Sequence, residues 1–154
     1  QSTATANGVK LENRIKKNTN VFADGKMILS VIQNIVANAI RHSREGDVVT
    51  ISSYNSENDL VIVIKDTGCG MSEETQQKLF TPNLESLASS RNQNQGAGIG
   101  MLLTKSFLEK NGGKIWFESS EGKGTTFYFS LPLAEPQPTN NNNNINFSDI
   151  IASE

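Results

Sequence analysis

From residue 27 to residue 40 the apolar positions recur at helical spacing. Ile28, Val31, Ile32, Ile35, Val36 and Ala39 fall on one broad face at 100° per residue. Ser30, Asn34, Asn38 and Arg41 gather on the opposite face, at steps of four, four and three. Asp24 stands just ahead of the run, where a side-chain acceptor caps a helix N-terminus. The period then changes. Residues 48–54 and 60–65 predict two strands, with 55–58 as the turn of an antiparallel hairpin. The second strand, Leu-Val-Ile-Val-Ile, shows no polar alternation, so it is expected to be central and covered. A short helix should follow Ser72, with Glu73 and Glu74 at the favourable end of its dipole.

Residues 81–97 are polar and aperiodic, and predict a long loop of the kind that is usually a functional lid or disordered. Residues 98–110 predict another helix, stopped by Asn111-Gly112-Gly113. Residues 114–119 and 125–133 predict a closing hairpin, and 9–12 and 20–23 are short β-prone pieces. The small, polar residues 1–8 read as an N-terminal linker. Residues 135–154, with Pro136, Pro138 and the run of asparagines at 140–144, read as a disordered linker or tail. The folded unit is therefore expected over 9–134.

Composition narrows the classes. A chain of 154 residues suits one domain with a sizeable core. Its formal net charge of −2, without a basic face, argues against nucleic-acid binding led by counterion release. The single cysteine, Cys69, forms no internal disulfide and suits a reducing compartment. No apolar run reaches the roughly 18 residues of a membrane helix, so no membrane contact is expected of this domain. Gln1 in place of Met reads as the start of a piece of a longer protein.

Three constellations carry chemistry. Asp66-Thr67-Gly68-Cys69-Gly70 ends the apolar strand, where a carboxylate is costly unless it is paired. One reading is a turn, with Asp as turn former and glycines at positive φ. The other is a ligand site, with the carboxylate accepting from the exocyclic amine of adenine and repelling the guanine oxygen, worth about a 10- to 150-fold preference. On that reading the glycines let the backbone pass close to a flat base. Second, Gly96-Ala97-Gly98-Ile99-Gly100 opens a helix, where free amides make an anion site. It lies late in the chain, against a dinucleotide fold, and no Gly-Lys-Ser/Thr follows, against a Walker loop. Third, Asn34 and Asn38 could offer amide oxygens to Mg²⁺, with Arg41 adding positive charge.

Taken together and in this order, these motifs resemble the superfamily that shares the Bergerat ATP-binding fold. Asn34 through His42 look like its N box, and Asp66 through Gly70 like the first glycine box. Leu79-Phe80-Thr81-Pro82 is similar to the F box, Gly96–Gly100 to the second glycine box, and Gly122-Lys123-Gly124-Thr125 to the turn before the last strand. The resemblance covers about residues 9–133. It implies an α/β two-layer sandwich: a mixed, mainly antiparallel sheet of about five strands with three helices on one face.

The resemblance also implies roles. Asp66 would bind the adenine amine, Thr125 would support it, and Gly68, Gly70 and Met71 would line the base. Asn38 would coordinate Mg²⁺, while Asn34 and Arg41 hold the phosphate–metal group and His42 lies beside the nucleotide. The amides of Gly98, Ile99 and Gly100 would cradle the phosphates, with Gly96 and Met101 also among the nucleotide-binding residues, and Arg91 in the lid would reach the γ-phosphate. Clamp-type members, such as the gyrase ATPase subunit, MutL and heat-shock chaperones, carry a glutamate base four residues before the metal-binding asparagine. Here that position is Asn34, which cannot take a proton.

The pattern thus resembles the catalytic domain of sensor histidine kinases. That implies ATP and Mg²⁺ as ligands and a cytoplasmic domain of a parent that can be membrane-anchored. The implied partners are a dimerisation and histidine-phosphotransfer domain of the same parent and a downstream response regulator. A regulatory nucleotide-binding module without phosphotransfer, motivated by Asn83 where the F box usually has a second aromatic, is one alternative. A serine-directed kinase of the anti-sigma type is another.

Overall fold

A computed structural model of the chain describes residues 2–4, 8–16, 20–81, 100–133 and 144–146; for 2–4, 20, 22 and 144–146 it describes the backbone. The described elements are β1 (Ser2–Ala4), β2 (Lys10–Asn13), β3 (Asn20–Phe22), α1 (Gly25–Arg41), β4 (Val48–Ser56), β5 (Asp59–Asp66), α2 (Glu73–Lys78), α3 (Gly100–Lys110), β6 (Lys114–Ser120), β7 (Gly124–Pro132) and β8 (Asn144–Asn146). One sheet has the order β1-β2-β4-β5-β7-β6, and β3 pairs separately with β8. The β2–β4 pair is parallel, with Lys10 opposite Val48, and the others in this sheet are antiparallel. A parallel pair needs a crossover, and α1 supplies it.

The mixed, mainly antiparallel sheet with three helices is as expected. The additions are short. Ser2–Ala4 extends the sheet beyond the expected strands, and Asn144–Asn146 pairs with Asn20–Phe22. Both fall in segments whose composition predicts no core, because an edge pairing is made by backbone amides and carbonyls and asks little of the side chains. The hairpin turn is also tighter than expected: the strands run on to Ser56 and Asp59 and leave Glu57 at φ 54°.

Alternation along the strands decides which face carries the helices. Leu60, Ile62 and Ile64 of β5 lie opposite Leu131, Phe129 and Phe127 of β7 and, with Val49 and Ile51 of β4, face the helices. On α1, Ile28, Val31, Ile32, Ile35, Val36 and Ala39 are all buried, the stripe that the helical period predicts. Each large aliphatic group so buried contributes about 1.5–3 kcal/mol. Met101 and Leu108 join this core from α3. α2 buries none of its own residues, but Leu79 and Phe80 just beyond it pack on the core, with Phe80 5.9 Å from Phe117. On the opposite face Trp116 stacks on Tyr128 at 5.4 Å, and Tyr54 is exposed.

The two long helices are tied at their outer ends. Asp24 caps α1, accepting from Lys26 N and Met27 N, as its position predicts. Its own amide donates to Asn111 Oδ1 at 2.8 Å, and Asn111 Nδ2 donates to Phe107 O at the end of α3. Among the described residues no helix is long and apolar enough to cross a membrane.

Glu57 holds a left-handed conformation that costs a side-chain-bearing residue about 1–2 kcal/mol, while glycine accepts it. Glu57→Gly is therefore expected to raise stability by up to about 1 kcal/mol in denaturant unfolding, the freer unfolded chain offsetting the rest. A lower midpoint would mean that the turn is not strained.

Candidate functional site

The buried run of β5 ends on a carboxylate. Asp66 is 2% exposed, and its Oδ1 accepts from Gly68 N at 2.9 Å and Thr125 N at 3.2 Å. Strand register explains the second bond: Asp66 lies directly opposite Thr125 in the β5–β7 pair. Both amides go to the same oxygen, and no described residue donates to Oδ2. Burial raises the Asp66 pKa above its usual 3.8, the two amide bonds and nearby His42 opposing this and Asp47 adding to it. A buried carboxylate engaged on one oxygen has its other lone pairs available to a donor.

The glycines beside it answer to the protein before any ligand. A Cβ on Gly68 would run into the His42 carbonyl, which accepts from Cys69 N at 2.9 Å. The end of α1 is thereby fastened to the loop after β5. Gly70 has φ +71°, and a Cβ there would strike the Ser120 carbonyl. The turn reading holds at Gly70, with its positive φ, whereas Gly68 is required by the close approach of the His42 carbonyl; the resulting turn presents Asp66. Cys69 is half-buried, its amide bound to His42 and its carbonyl accepting from Gly122 N.

Met71 is buried, and its amide donates to Ser119 Oγ at 2.9 Å. Ser119 Oγ also lies 2.8 Å from Thr125 Oγ1 and 3.3 Å from the Gly124 carbonyl. Gln76 Nε2 donates to the carbonyls of Met71 and Ser119. Ser119 and Gln76 therefore join the loop after β5 to the β6–β7 turn. Sequence reasoning missed both, since Ser119 sits in an ordinary alternating strand and its partners come from three segments.

On α1 the polar stripe divides. Asn38 is 5% exposed, yet its side chain makes no hydrogen bond to any described residue. Asn34, one turn earlier, is half-buried and donates through Nδ2 to Gly100 O at 3.4 Å and Thr104 Oγ1 at 3.2 Å. Arg41 is exposed. His42 ends the helix, its amide bonded to Asn38 O and Ile40 O. Burial and then Arg41 hold its pKa below the usual 6.5, Asp66 pulling the other way, so it is neutral at pH 7.

The structure thus brings Asp66, Gly68, Gly70, Met71 and Thr125 together, with His42 alongside, and joins Asn34 to Gly100. Met101 is buried in the core at the first turn of α3. A Cβ on Gly100 would meet nothing nearer than Asn34 at 3.9 Å, so packing in the described structure does not require glycine there. Arg91, Gly96, Gly98 and Ile99 lie outside the described residues. So do the loop from 82 to 97, including Pro82 and Asn83, and the tail apart from 144–146.

Residues 23–135 match the family described as histidine kinase-, DNA gyrase B-, and HSP90-like ATPase, and the chain belongs to it. It is 38% identical over 115 residues, 74% of its length, to the adaptive-response sensory kinase SasA of Prochlorococcus marinus, covering 30% of that protein. It is 36% identical over 119 residues, 76% of its length, to the sensor histidine kinase WalK of Bacillus subtilis, covering 20% of that one. The chain thus spans less than a third of either relative. Among solved structures, the nucleotide-free catalytic domain of histidine kinase ThkA superposes with a TM-score of 0.63 at 29% identity, covering 80% of this chain and 76% of that one. The mycobacterial sensor histidine kinase MprB, at 21% identity and TM-score 0.66 over 82% and 84% of the two chains, shares the fold.

Because burial raises the Asp66 pKa in the fold, its contribution to stability is fully present below the unfolded value near 3.8. It is lost as pH rises through the higher folded value. Asp66→Asn keeps an acceptor for the two amides without the charge. The variant without nucleotide is expected to melt at or above the unaltered chain at pH 7, the gap closing toward pH 4. A variant melting well below the unaltered chain at pH 7 would contradict the burial argument.

Proposed function

We propose that this chain binds Mg·ATP and presents the γ-phosphate to a histidine on a dimerisation domain of a longer parent protein. The observation that carries the reading is Asp66. Its Oδ1 is held by the Gly68 and Thr125 amides, which leaves Oδ2 as an acceptor at the end of a buried strand. Asp66 accepts from the exocyclic amine of adenine, whereas guanine turns an oxygen to the same place. Gly68, Gly70 and Met71 form the wall beside the base, and Thr125, through its amide and through Ser119, keeps Asp66 in register. His42, neutral at pH 7, adds a flat ring without repelling the cations nearby.

The donor set suits Mg²⁺. The described residues hold no group of three or more His, Cys, Asp or Glu that could form a protein cage. Mg²⁺ asks for little more than one or two oxygen ligands from the protein, keeping waters and binding phosphate oxygens, and when bound it screens the negative charge of the phosphates. The side-chain amide of Asn38 offers such an oxygen, and Arg41 supplies a positive charge one turn on. Gly96, Gly98, Ile99, Gly100 and Arg91 are proposed for the phosphates, on their match to the second glycine box and the lid.

Transfer to another protein group, in place of hydrolysis, is supported by Asn34. An amide cannot accept the proton of an attacking water, and its nitrogen is already committed to Gly100 and Thr104. His42 is the only histidine of the chain, and it is half-buried at the end of α1. The acceptor histidine is therefore assigned to another part of the parent. SasA is a sensory kinase and WalK a sensor histidine kinase, which supports a response regulator as the downstream partner. The domain would then work on the cytoplasmic side of a parent that can be membrane-anchored.

Calorimetric titration with ATP, in Mg²⁺ and in EDTA, separates the two assignments. Asp66→Asn is expected to weaken ATP about 10- to 150-fold in both buffers. Asn38→Ala is expected to abolish the gain from Mg²⁺ while leaving the melting temperature unchanged or higher, since no described hydrogen bond is lost and alanine favours helix. Unchanged ATP affinity in Asp66→Asn, or a retained Mg²⁺ dependence in Asn38→Ala, would refute the corresponding role.

A further inference from the structure

Asn34 stands where hydrolysing relatives place a glutamate, and what it does depends on which end of its amide faces which neighbour. Its Nδ2 lies 3.4 Å from the Gly100 carbonyl oxygen, at the first residue of α3. A carbonyl has no proton to give, so only the NH₂ end of the amide can make that contact. Thr104 fixes the arrangement from the other side. Its hydroxyl donates to the same Gly100 carbonyl at 2.9 Å, which leaves the lone pairs of Oγ1 to receive Asn34 Nδ2 at 3.2 Å. Thr104 is fully buried, with Asn34 and Gly100 half-buried beside it. The flipped amide would set Asn34 Oδ1 against the Gly100 carbonyl oxygen, and Thr104 could donate to it only by giving up its own bond to that carbonyl.

We propose that Thr104 is a positioning residue for nucleotide binding. Together with the Gly100 carbonyl it locks the Asn34 amide with its nitrogen toward α3 and its oxygen free for the Mg²⁺–phosphate group. The same three-way contact fixes the first turn of α3 against α1, one helical turn from Asn38. An unlocked Asn34 would spend part of its time offering NH₂ to a cation. This deepens the Mg·ATP reading and rests on it. In metal sites, outer groups that orient a ligand are commonly worth 10- to 100-fold in metal affinity. Thr104 lies beyond the glycine motif, in the apolar run of α3, so its part in the site follows from the hydrogen bonds alone.

The test compares Thr104→Val and Thr104→Ser with the unaltered 154-residue chain. Each is titrated with ATP by calorimetry in Mg²⁺ and in EDTA, and each is melted without nucleotide. Valine keeps the shape and removes the hydroxyl, so the ratio of Mg²⁺ to EDTA affinity is expected to fall about 10-fold while the EDTA affinity stays within about twofold. Serine restores the hydroxyl and is expected to return the ratio to that of the unaltered chain. If Thr104→Val does not melt cooperatively, Thr104→Ala against Thr104→Ser makes the same comparison. An unchanged ratio overturns the proposal. So does an equal loss in both buffers, the mark of a merely structural role, and so does a serine variant as impaired as valine. No ATP binding by the unaltered chain in either buffer overturns the Mg·ATP reading itself, and this proposal with it.

Discussion

A carboxylate at the end of a buried strand, held by two backbone amides on one oxygen, is the constraint around which the site is arranged. The bonds from Gly68 and Thr125 to Asp66 Oδ1 offset part of the cost of burying the charge, and the raised pKa is the part that remains. To make those bonds, the chain after β5 must turn at once, with the His42 carbonyl on one side and the Ser120 carbonyl on the other. The glycines at 68 and 70 follow from that crowding. The β6–β7 hairpin must also bring Thr125 into register, which Ser119 and Gln76 help to secure. Asp66 thereby connects the central strand, the end of α1 and the last hairpin.

The second half of the site is built across two helices. α1 packs its apolar stripe on the sheet, turns Asn34 to Gly100 and Thr104, and ends with the His42 carbonyl against the loop after Asp66. α3 is tied to it at both ends, through Asn111 and Asp24 at one and through Asn34, Gly100 and Thr104 at the other. Two fixed ends leave little freedom for relative sliding. The group assigned to the metal and the helix assigned to the phosphates are held to one another by the protein before any ligand arrives. Asn38, one turn beyond Asn34 on α1, is buried within this frame.

Much of this was legible in the sequence, for local reasons. The helical period from Ile28 to Ala39 and the cap at Asp24 predict α1, and an unbroken apolar strand running into Asp66 marks both the sheet centre and the carboxylate. What was not legible depends on partners far apart in the chain. Ser119 meets Met71 and Thr125 because strand register brings them together, and no spacing rule links 71, 119 and 125. Thr104 reads as one more residue of a helix until Asn34, seventy residues earlier, is found against it. The reason for Gly68 also depends on a distant partner. A turn or a flat base could each have called for it; the His42 carbonyl already does. The stripe of α1 was read as uniformly polar, yet Asn38 is buried and Arg41 exposed, since the helical angle alone does not say where the neighbouring loop closes.

The central claim is that Asp66 Oδ2 awaits the exocyclic amine of adenine. The direct measurement is a calorimetric comparison of ATP with purine riboside triphosphate, which lacks that amine and keeps the rest, in Mg²⁺ buffer. A charge-assisted hydrogen bond of about 1.5–3 kcal/mol corresponds to about 10- to 150-fold weaker binding of the analogue. Equal affinities for the two nucleotides would contradict the account.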